Sequence, residues 1–449
     1  MFQIRQRQST PSREILGGLT TFMAMSYILF VQPAVLGSAG MDPGAVFTAT
    51  CVASAIACVL MGLLANYPIA LGPGMGENFF FTYQVAAIMG AWGLGVGWEM
   101  GLSLTIIAGL VFLALATVGF RSAVLNAIPN ALKSGIAAGI GLFIATIGFR
   151  YGNLIEPGGA LLRATPLRDN PAAWLTLAGL AITLALMAFR VRGAILIGIL
   201  ASTALALAAG KTTWRMPVAW PSSMAPTFYG AIRGFAGLAD AARSQHLIEV
   251  LSLGFVLLFM DLFDTVGTLV GVSERANLLQ NGKLPKAERA LAADAAATSI
   301  GGLLGTSTVT SYIESLTGVA AGARTGLAAI TTGACLLASV FFYPLVGLVM
   351  GEFHQGPVSF FPTIAPALIA VGAIMLRTVR QLDWEDPTEY LPGFLTMVTM
   401  PLAYSISAGI AVGFITYAFG KLVSGRFRQC PVIVYIFAAL FVLRYVIPL

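Results

Sequence analysis

Acidic side chains inside long apolar stretches are the residues of this chain best placed to do chemistry. Glu314 lies in a Ser-, Thr- and Gly-rich stretch, 306–327, with apolar sequence on both sides. Asp261 and Asp264 are three residues apart, so they share one face of a helix, with Thr268 one turn beyond. A carboxylate in hydrocarbon is costly and marks a substrate or ion site by default. Two neighbouring carboxylates also suit the uptake and release of a proton.

A second acidic stretch, 66–83, is interrupted by glycine and proline and contains Glu77. The segment from Gly72 to Gly76 ends any helix that precedes it, and a new helix can begin near Met75. The first turn of that helix would direct N–H groups and a positive helix end at a cavity. A plain helix kink is the alternative. A nucleotide-binding glycine loop is disfavoured, because it needs a preceding strand in a soluble domain.

The composition places these acids in a membrane. Of 449 residues, 57% are hydrophobic and only 10% are charged, and the mean hydropathy is +0.86. Soluble domains carry about 25% charged residues, so the chain is expected to be a polytopic membrane protein. The basic residues lie in short loops, which explains the net charge of +6 by membrane topology and not by a nucleic acid partner. Their bias predicts a cytoplasmic N-terminus, and the first apolar run, 15–37, is expected to remain as a span.

The apolar runs predict an all-α fold with fourteen transmembrane segments in two halves of seven. Because seven is odd, the halves enter the membrane from opposite sides and form a 7+7 inverted repeat. The broken stretches are the third and tenth segments, which hold corresponding positions in the two halves. Half-helices at such positions are typical of a transporter binding site at the bilayer midplane. The last apolar run, 431–449, is open to interpretation as a further span or a surface helix.

Three separated motifs make the chain resemble the azaguanine-type branch of the nucleobase cation symporter-2 superfamily, the adenine, guanine and hypoxanthine permeases. They are G-P-G-M-G-E-N-F-F-F at 72–81, D-L-F-D-T-V-G-T-L at 261–269 and T-S-Y-I-E-S-L-T-G-V-A-A-G-A-R-T-G-L at 310–327. Shorter similarities at 130–143 and 400–406 extend the resemblance over most of the chain.

The resemblance implies a core domain and a gate domain that move past each other as an elevator, in a homodimer. The core would comprise residues 1–120 (spans 1–4) and 246–350 (spans 8–11). The gate would comprise 121–245 (spans 5–7 and a loop) and 351–449 (spans 12–14 and the C-terminal apolar segment).

The resemblance also assigns roles to single residues. Glu314 matches the carboxylate that binds the base, and Asp264 matches the acid of the eighth span, with Asp261 also an acid typical of this branch. Asn78 and Gly76 match the polar residue and glycine of the third span. The predicted substrate-binding set is Glu314, Asp264, Asn78, Gly76, Phe79, Phe263 and Ser315, with Asp264 and Asp261 coupling protons and Thr268 and Glu77 unassigned.

One departure from the branch concerns the third span, where Glu77 precedes Asn78 and the bulky Phe79 follows it. Both changes could alter which purine fits.

The predicted function is import of purine nucleobases across the cytoplasmic (inner) membrane by proton symport, without an enzymatic activity, a metal or a cofactor. Sodium stays an alternative coupling ion. Membrane lipid and a second copy of the chain are the other expected partners, and no nucleic acid is expected. An anion or other small-solute transporter on the same fold is disfavoured by the acidic site, and a channel by the pair of broken helices.

Overall fold

The computed structural model describes residues 2–117, 129–158, 161–214, 216–278, 284–351, 353–355 and 358–446. The predicted boundary between residues 120 and 121 lies outside these ranges, as do the last three residues of the C-terminal apolar segment. Nearly all regular structure is helical. The helices are α1 (Pro11–Met25), α2 (Ile28–Gly37), α3 (Pro43–Leu60), α4 (Met75–Phe80), α5 (Ala87–Ala91), α6 (Gly97–Thr117), α7 (Asn130–Tyr151), α8 (Pro171–Ala188), α9 (Ala194–Ala208), α10 (Ala225–Arg243), α11 (Leu247–Arg275), α12 (Ala287–Leu304), α13 (Ser315–Ala320), α14 (Gly326–Ala338), α15 (Pro344–Met350), α16 (Ala365–Met375), α17 (Pro387–Leu402), α18 (Ile406–Val423) and α19 (Val432–Val446).

Within the described residues, six short strands form three antiparallel pairs. The strands are β1 (Leu71–Pro73), β2 (Ile155–Gly158), β3 (Leu161–Ala164), β4 (Val309–Ser311), β5 (Phe353–Gln355) and β6 (Val358–Phe360). Two pairs, β2–β3 and β5–β6, join neighbouring strands in the sequence. The pair β1–β4 joins strands that are far apart in the chain, and it lies beside the buried acids.

Several helix starts follow directly from the local sequence. A capping residue followed by proline begins a helix because the side chain binds a free backbone N–H and proline has the helical φ already fixed. Thr10, Asp42, Asn170 and Asp386 act in this way before α1, α3, α8 and α17. The carboxylate of Asp42, for example, accepts from the N–H of Ala45 at 2.7 Å.

The lengths of the helices agree with a multi-pass membrane protein. Within the described residues, six helical segments are long and apolar enough to cross a membrane, with a seventh if the bent pair α14 and α15 counts as one. The bend between these two helices is 77°. The remaining helices are shorter, broken or more polar, so the exact number of spans stays a prediction.

The helices pack in two groups by close backbone contact. In one group α1, α3, α6, α12 and α14 pack on one another, and α3, α11 and α12 contact the β1–β4 pair. In the other group α7 packs against α16, α17 and α18. Glycines permit the contacts of α7, because a Cβ on Gly135 would lie 2.7 Å from the carbonyl oxygen of Gly393 and one on Gly141 would lie 2.7 Å from that of Gly372. Small residues at such crossings are the usual means of packing helices in lipid.

The loop predicted at the end of the gate segment 121–245 is a helix over residues 225–243, so this part of the prediction is wrong. Helix α10 occupies these residues and packs against α6, where Gly230 faces Trp98 and Gly237 faces Met100. The helix is therefore packed with the predicted core. Its alternation of Gly and Ala with polar residues was too weak an apolar signal for a span, and nothing in the sequence alone indicated its partner.

Candidate functional site

The two broken stretches cross each other as a short antiparallel ribbon. In β1 and β4, Gly72 pairs with Thr310. The pairing extends on both sides, because the N–H of Gly74 donates to the carbonyl of Thr308 at 3.1 Å and the N–H of Tyr312 donates to that of Ala70 at 2.9 Å. Helices α4 and α13 begin immediately after the two strands. The two broken stretches, predicted at corresponding positions of the two halves, therefore meet in the structure.

Glu314 is the last residue before α13 and is half-buried. Its Oε1 accepts a hydrogen bond from the hydroxyl of Tyr27 at 2.8 Å. Tyr27 is buried between α1 and α2, where it begins α2. One carboxylate oxygen of Glu314 is thus held by the first helical segment, and the group remains accessible at the crossing.

The two aspartates of α11 differ in exposure. Asp264 is exposed and interacts electrostatically with Glu314, whereas Asp261 is 1% exposed. The Oδ2 of Asp261 accepts from the hydroxyl of Thr298 at 2.7 Å. Its Oδ1 has no hydrogen-bond partner among the described residues. Thr268, one turn along α11, is also buried.

Glu77 lies in the first turn of α4 and is 2% exposed. Its carboxylate turns back over Gly74, so that a side chain at Gly74 would overlap it. A carboxylate in this position faces the positive end of the helix. The Oε2 has no hydrogen-bond partner in the part of the chain that the structure describes. The carboxylate of Glu77, a residue that departs from the branch pattern, is therefore directed at the start of α4.

The predicted Asn78 and Gly76 are both buried within the protein. The Oδ1 of Asn78 accepts from the hydroxyl of Ser307, which also contacts the Nε2 of Gln32 at 3.4 Å. Gly76 lies under Ile140 of α7, whose Cγ2 would be 2.8 Å from an added Cβ. Both residues thus hold the crossing together and bring α7 close to it.

The aromatic and hydroxyl residues of the predicted set have separate surroundings. Phe79 is fully buried and makes an edge contact with Phe143 of α7, with ring centroids 6.5 Å apart. Phe263 is half-buried beside Asp264, and the Nζ of Lys133 lies 5.8 Å from its ring. Ser315 is buried, and its hydroxyl accepts from the N–H of Ala70 at 3.0 Å. Phe263 is thus the more accessible ring.

Tyr27, Lys133 and Asp294 were not assigned a role from the sequence. Tyr27 belongs to the first apolar run, where a tyrosine gives little signal, and Lys133 stands at the start of another helix. Asp294 could be noticed as an acid inside an apolar stretch. Its contacts with α11 and β4 could be found only from the structure.

An apolar cleft of about 650 Å³ lies between α6, α10, α11 and α19. Leu104, Leu251, Phe255 and Phe437 are among its lining residues. It has almost no polar surface and does not include the acids. A ligand with polar edges needs a few directed polar groups, so this cleft is not the candidate site.

The five acids at the crossing fall into two sets. Glu314 and Asp264 are accessible, whereas Glu77, Asp261 and Asp294 are buried. Accessible carboxylates can accept hydrogen bonds from the N–H groups of a ligand, and buried ones can bind protons. Such a site, built on a β1–β4 crossing between membrane helices, defines a membrane transporter.

Comparison with known proteins identifies the family. A model described as the Permease family, that of the xanthine and uracil permeases, matches residues 12–412. The chain belongs to this family: it is a multi-pass membrane permease and not an enzyme.

Two relatives and one solved structure illustrate the similarity. The guanine/hypoxanthine permease PbuG of Bacillus subtilis is 41% identical over 99% of this chain and 98% of its own length. The adenine permease AdeP of Escherichia coli is 36% identical over 99% of this chain and 95% of its own. The transmembrane domain of the cyanobacterial bicarbonate transporter BicA has a TM-score of 0.62 at 15% identity, covering 90% of this chain and 97% of that domain. This last likeness concerns the fold alone.

Proposed function

We propose that the protein imports purine nucleobases across the cytoplasmic membrane by proton symport. The observation that carries the proposal is the cluster of five carboxylates around the β1–β4 crossing, of which Glu314 and Asp264 are accessible and the other three are buried. The names of the relatives, permeases of guanine, hypoxanthine and adenine, favour a purine.

The chemistry of a purine matches this arrangement. A purine is planar and uncharged, with N–H donors at its edge and an apolar face. Glu314 would accept from ring or exocyclic N–H groups, and Phe263 would lie against the face of the ring. Tyr27 would keep the carboxylate of Glu314 in one orientation, so that its second oxygen is directed at the ligand.

Proton coupling is assigned to Asp264 and Asp261. A protonated Asp264 would donate a hydrogen bond to a ring nitrogen or carbonyl of the base, which would link the two affinities, and linkage is reciprocal. The inward movement of the loaded site then carries both. Sodium at the same carboxylates is the alternative coupling ion.

The proposal extends to the arrangement of the spans and domains. The chain would form fourteen spans in a 7+7 inverted repeat, with half-helices in the third and tenth, and a cytoplasmic N-terminus. The group of helices around β1 and β4 would form the core and move against the group around α7 as an elevator, in a homodimer.

Counterflow in proteoliposomes tests the function. Purified protein would be loaded with unlabelled base, and exchange of labelled adenine, guanine, hypoxanthine, uracil and bicarbonate would be measured with and without a pH gradient. We expect exchange of at least one purine and accumulation when the outside is acidic. Exchange of bicarbonate alone would contradict the proposal, and purine accumulation driven only by sodium would replace the proton.

The variant Asp264→Asn separates binding from coupling. It retains hydrogen-bonding capacity but cannot bind a transported proton, so we expect counterflow to persist and pH-driven accumulation to be lost. Continued accumulation driven by the proton gradient would exclude the assigned role of Asp264.

A further inference from the structure

Asp294 of α12 is a buried carboxylate that joins three elements around the site. It is fully buried. Its Oδ2 accepts from the hydroxyl of Thr265 on α11 at 2.6 Å, and its Oδ1 accepts from the hydroxyl of Ser311 on β4 at 3.0 Å. Asp294 therefore connects the helix that carries Asp264 with the strand that leads to Glu314.

The contact continues from Thr265 to the strand crossing. The hydroxyl oxygens of Thr265 and Thr310 are 2.7 Å apart, and either can be the donor. Thr310 pairs with Gly72 across the two strands, and its Cγ2 would be 2.8 Å from a Cβ at Gly74. A chain of three oxygens thus runs from Asp294 through Thr265 to the point where the two broken stretches cross.

The direction of this chain depends on the protonation of Asp294. Each hydroxyl has a single hydrogen to donate. When Asp294 is ionised, Thr310 donates to Thr265 and Thr265 donates to Asp294. When the Oδ2 of Asp294 carries a proton, Asp294 donates to Thr265, and Thr265 then donates to Thr310. The hydroxyl hydrogens rotate without leaving their oxygens, and the proton on Asp294 comes from water and returns to water.

Among the described residues, the charged groups that interact with Asp294 are all acids. Asp261 and Asp264 approach from α11 and Glu77 from α4, and each interacts electrostatically with it directly or through the others. Strand β4 presents hydroxyl groups. Helix α3 has no Asp, Glu, Lys or Arg between Pro43 and Leu60, and the single acid of α6, Glu99, pairs with Arg233 of α10 at 2.6 Å. Asp240 and Arg243, near the end of α10, are the remaining charges of that helix.

We propose that Asp294 binds a proton during the transport cycle and that its protonation reverses the hydroxyl chain Asp294–Thr265–Thr310, which transmits the change to the crossing of β1 and β4. This inference rests on proton symport as the proposed function and adds to it a positioning residue outside the substrate site. On protonation of Asp294, the hydroxyl of Thr310 no longer donates to Thr265 and can donate to another acceptor next to Gly74. This change would alter the start of α4.

Infrared difference spectroscopy of the purified protein in lipid nanodiscs tests the proton-binding step without any substrate. The pH-difference spectrum of the wild type should contain carboxylic acid C=O bands, and Asp294→Asn should remove one of them. A matched pair examines the chain: Thr265→Ser retains the hydroxyl and should keep the band in place, whereas Thr265→Val should shift it. A pH-difference spectrum that Asp294→Asn leaves unchanged would overturn the inference.

Transport measurements test the coupling step. In Asp294→Asn we expect purine counterflow to remain. With an exterior about one pH unit more acidic than the interior, accumulation should fall by about tenfold, the concentration ratio that one coupled proton supplies per pH unit. Thr265→Val should show the same split, and Thr265→Ser should accumulate purine as the wild type does. Equal accumulation in the Ser and Val variants would contradict the chain. If Asp294→Asn does not fold, the Thr265 pair still decides.

The proposed function and this inference can fail separately. If the wild type exchanges no purine, the proposed function fails, but the infrared bands still show whether Asp294 titrates. If the wild type accumulates purine with a proton gradient and the Asp294 and Thr265 variants do so equally well, the inference fails and the function stands.

Discussion

The hydrogen bond from Tyr27 to Glu314 gives the most specific prediction about the substrate site. Tyr27→Phe removes one oxygen from a buried ring and leaves the packing of the ring unchanged. The Oε1 of Glu314 then loses its donor at 2.8 Å. The carboxylate can rotate, and its second oxygen is no longer held towards the ligand.

The expected magnitude follows from the type of bond. A hydrogen bond to a charged group contributes about 1.5–3 kcal/mol. Because Glu314 is only half-buried, water can replace part of this bond, and the lower limit is appropriate. A loss of about 1.4 kcal/mol weakens binding about tenfold. We therefore expect the Kd for the preferred purine, and the KM for its uptake, to rise by about tenfold.

A second tyrosine supplies the control. The hydroxyl of Tyr417 in α18 donates to the Oε1 of Glu389 at 2.9 Å, far along the chain from the crossing. Tyr417→Phe removes the same kind of bond and should leave the Kd unchanged. The assay is equilibrium binding of labelled purine to both variants and to the wild type. An unchanged Kd in Tyr27→Phe, or an equal rise in both variants, would refute the role of Tyr27.

Three further predictions concern stability. Glu14 is buried, and its carboxylate accepts hydrogen bonds from the N–H groups of Arg324 and Thr325 at 3.0 Å each. Glu14→Gln replaces one acceptor by a donor and should cost about 2 kcal/mol of folding free energy, which would lower the Tm in a thermal-shift assay. Gly318→Ala would overlap the hydroxyl of Thr21, so we expect low expression and little transport, measured by membrane immunoblot and uptake. The N–H and hydroxyl of Thr388 lower the pKa of Asp386, the residue that begins α17, so its stabilisation should be full at neutral pH and lost on acidification below about pH 4.

A clear result could contradict each of these. A Tm for Glu14→Gln equal to that of the wild type would exclude its capping role, and normal uptake by Gly318→Ala would exclude the close packing of α1 on α13. For Asp386, the variant Asp386→Ala removes the cap and should lose about 1 kcal/mol at neutral pH. The Asp386→Ala variant should lose little further stability on acidification, because it lacks the carboxylate. If variant and wild type lost equal stability in acid, other groups would be responsible for the acid sensitivity.

The sequence predicted the breaks in the two stretches because local residues cause them. Gly72 and Pro73 disfavour the continuation of a helix, and the Ser- and Thr-rich run before Glu314 is too short and polar to span. The matching positions of the two stretches in their halves then indicated that they meet. In the structure they do so as the β1–β4 pair.

Other features depend on contacts between distant residues and could not be read from local pattern. Tyr27 and Glu314 are 287 positions apart, and a tyrosine between two apolar helices has no distinctive signature. The sequence showed Asp294 as an acid inside an apolar stretch, but its hydrogen-bond partners come from two other elements. The orientation of Glu77 towards Gly74 depends on the first turn of α4, whose backbone could only be anticipated in outline.

The variant Glu314→Gln tests the central claim most directly. Gln has the same size as Glu and can still accept one hydrogen bond, but it is neutral and presents a donor where the purine also presents one. Equilibrium binding of labelled guanine, hypoxanthine and adenine should be measured for the wild type and for Glu314→Gln in the same lipid. We expect the wild type to bind at least one of these bases and the variant to bind none detectably. A near-normal Kd in Glu314→Gln would contradict the role of Glu314 as the carboxylate that binds the base.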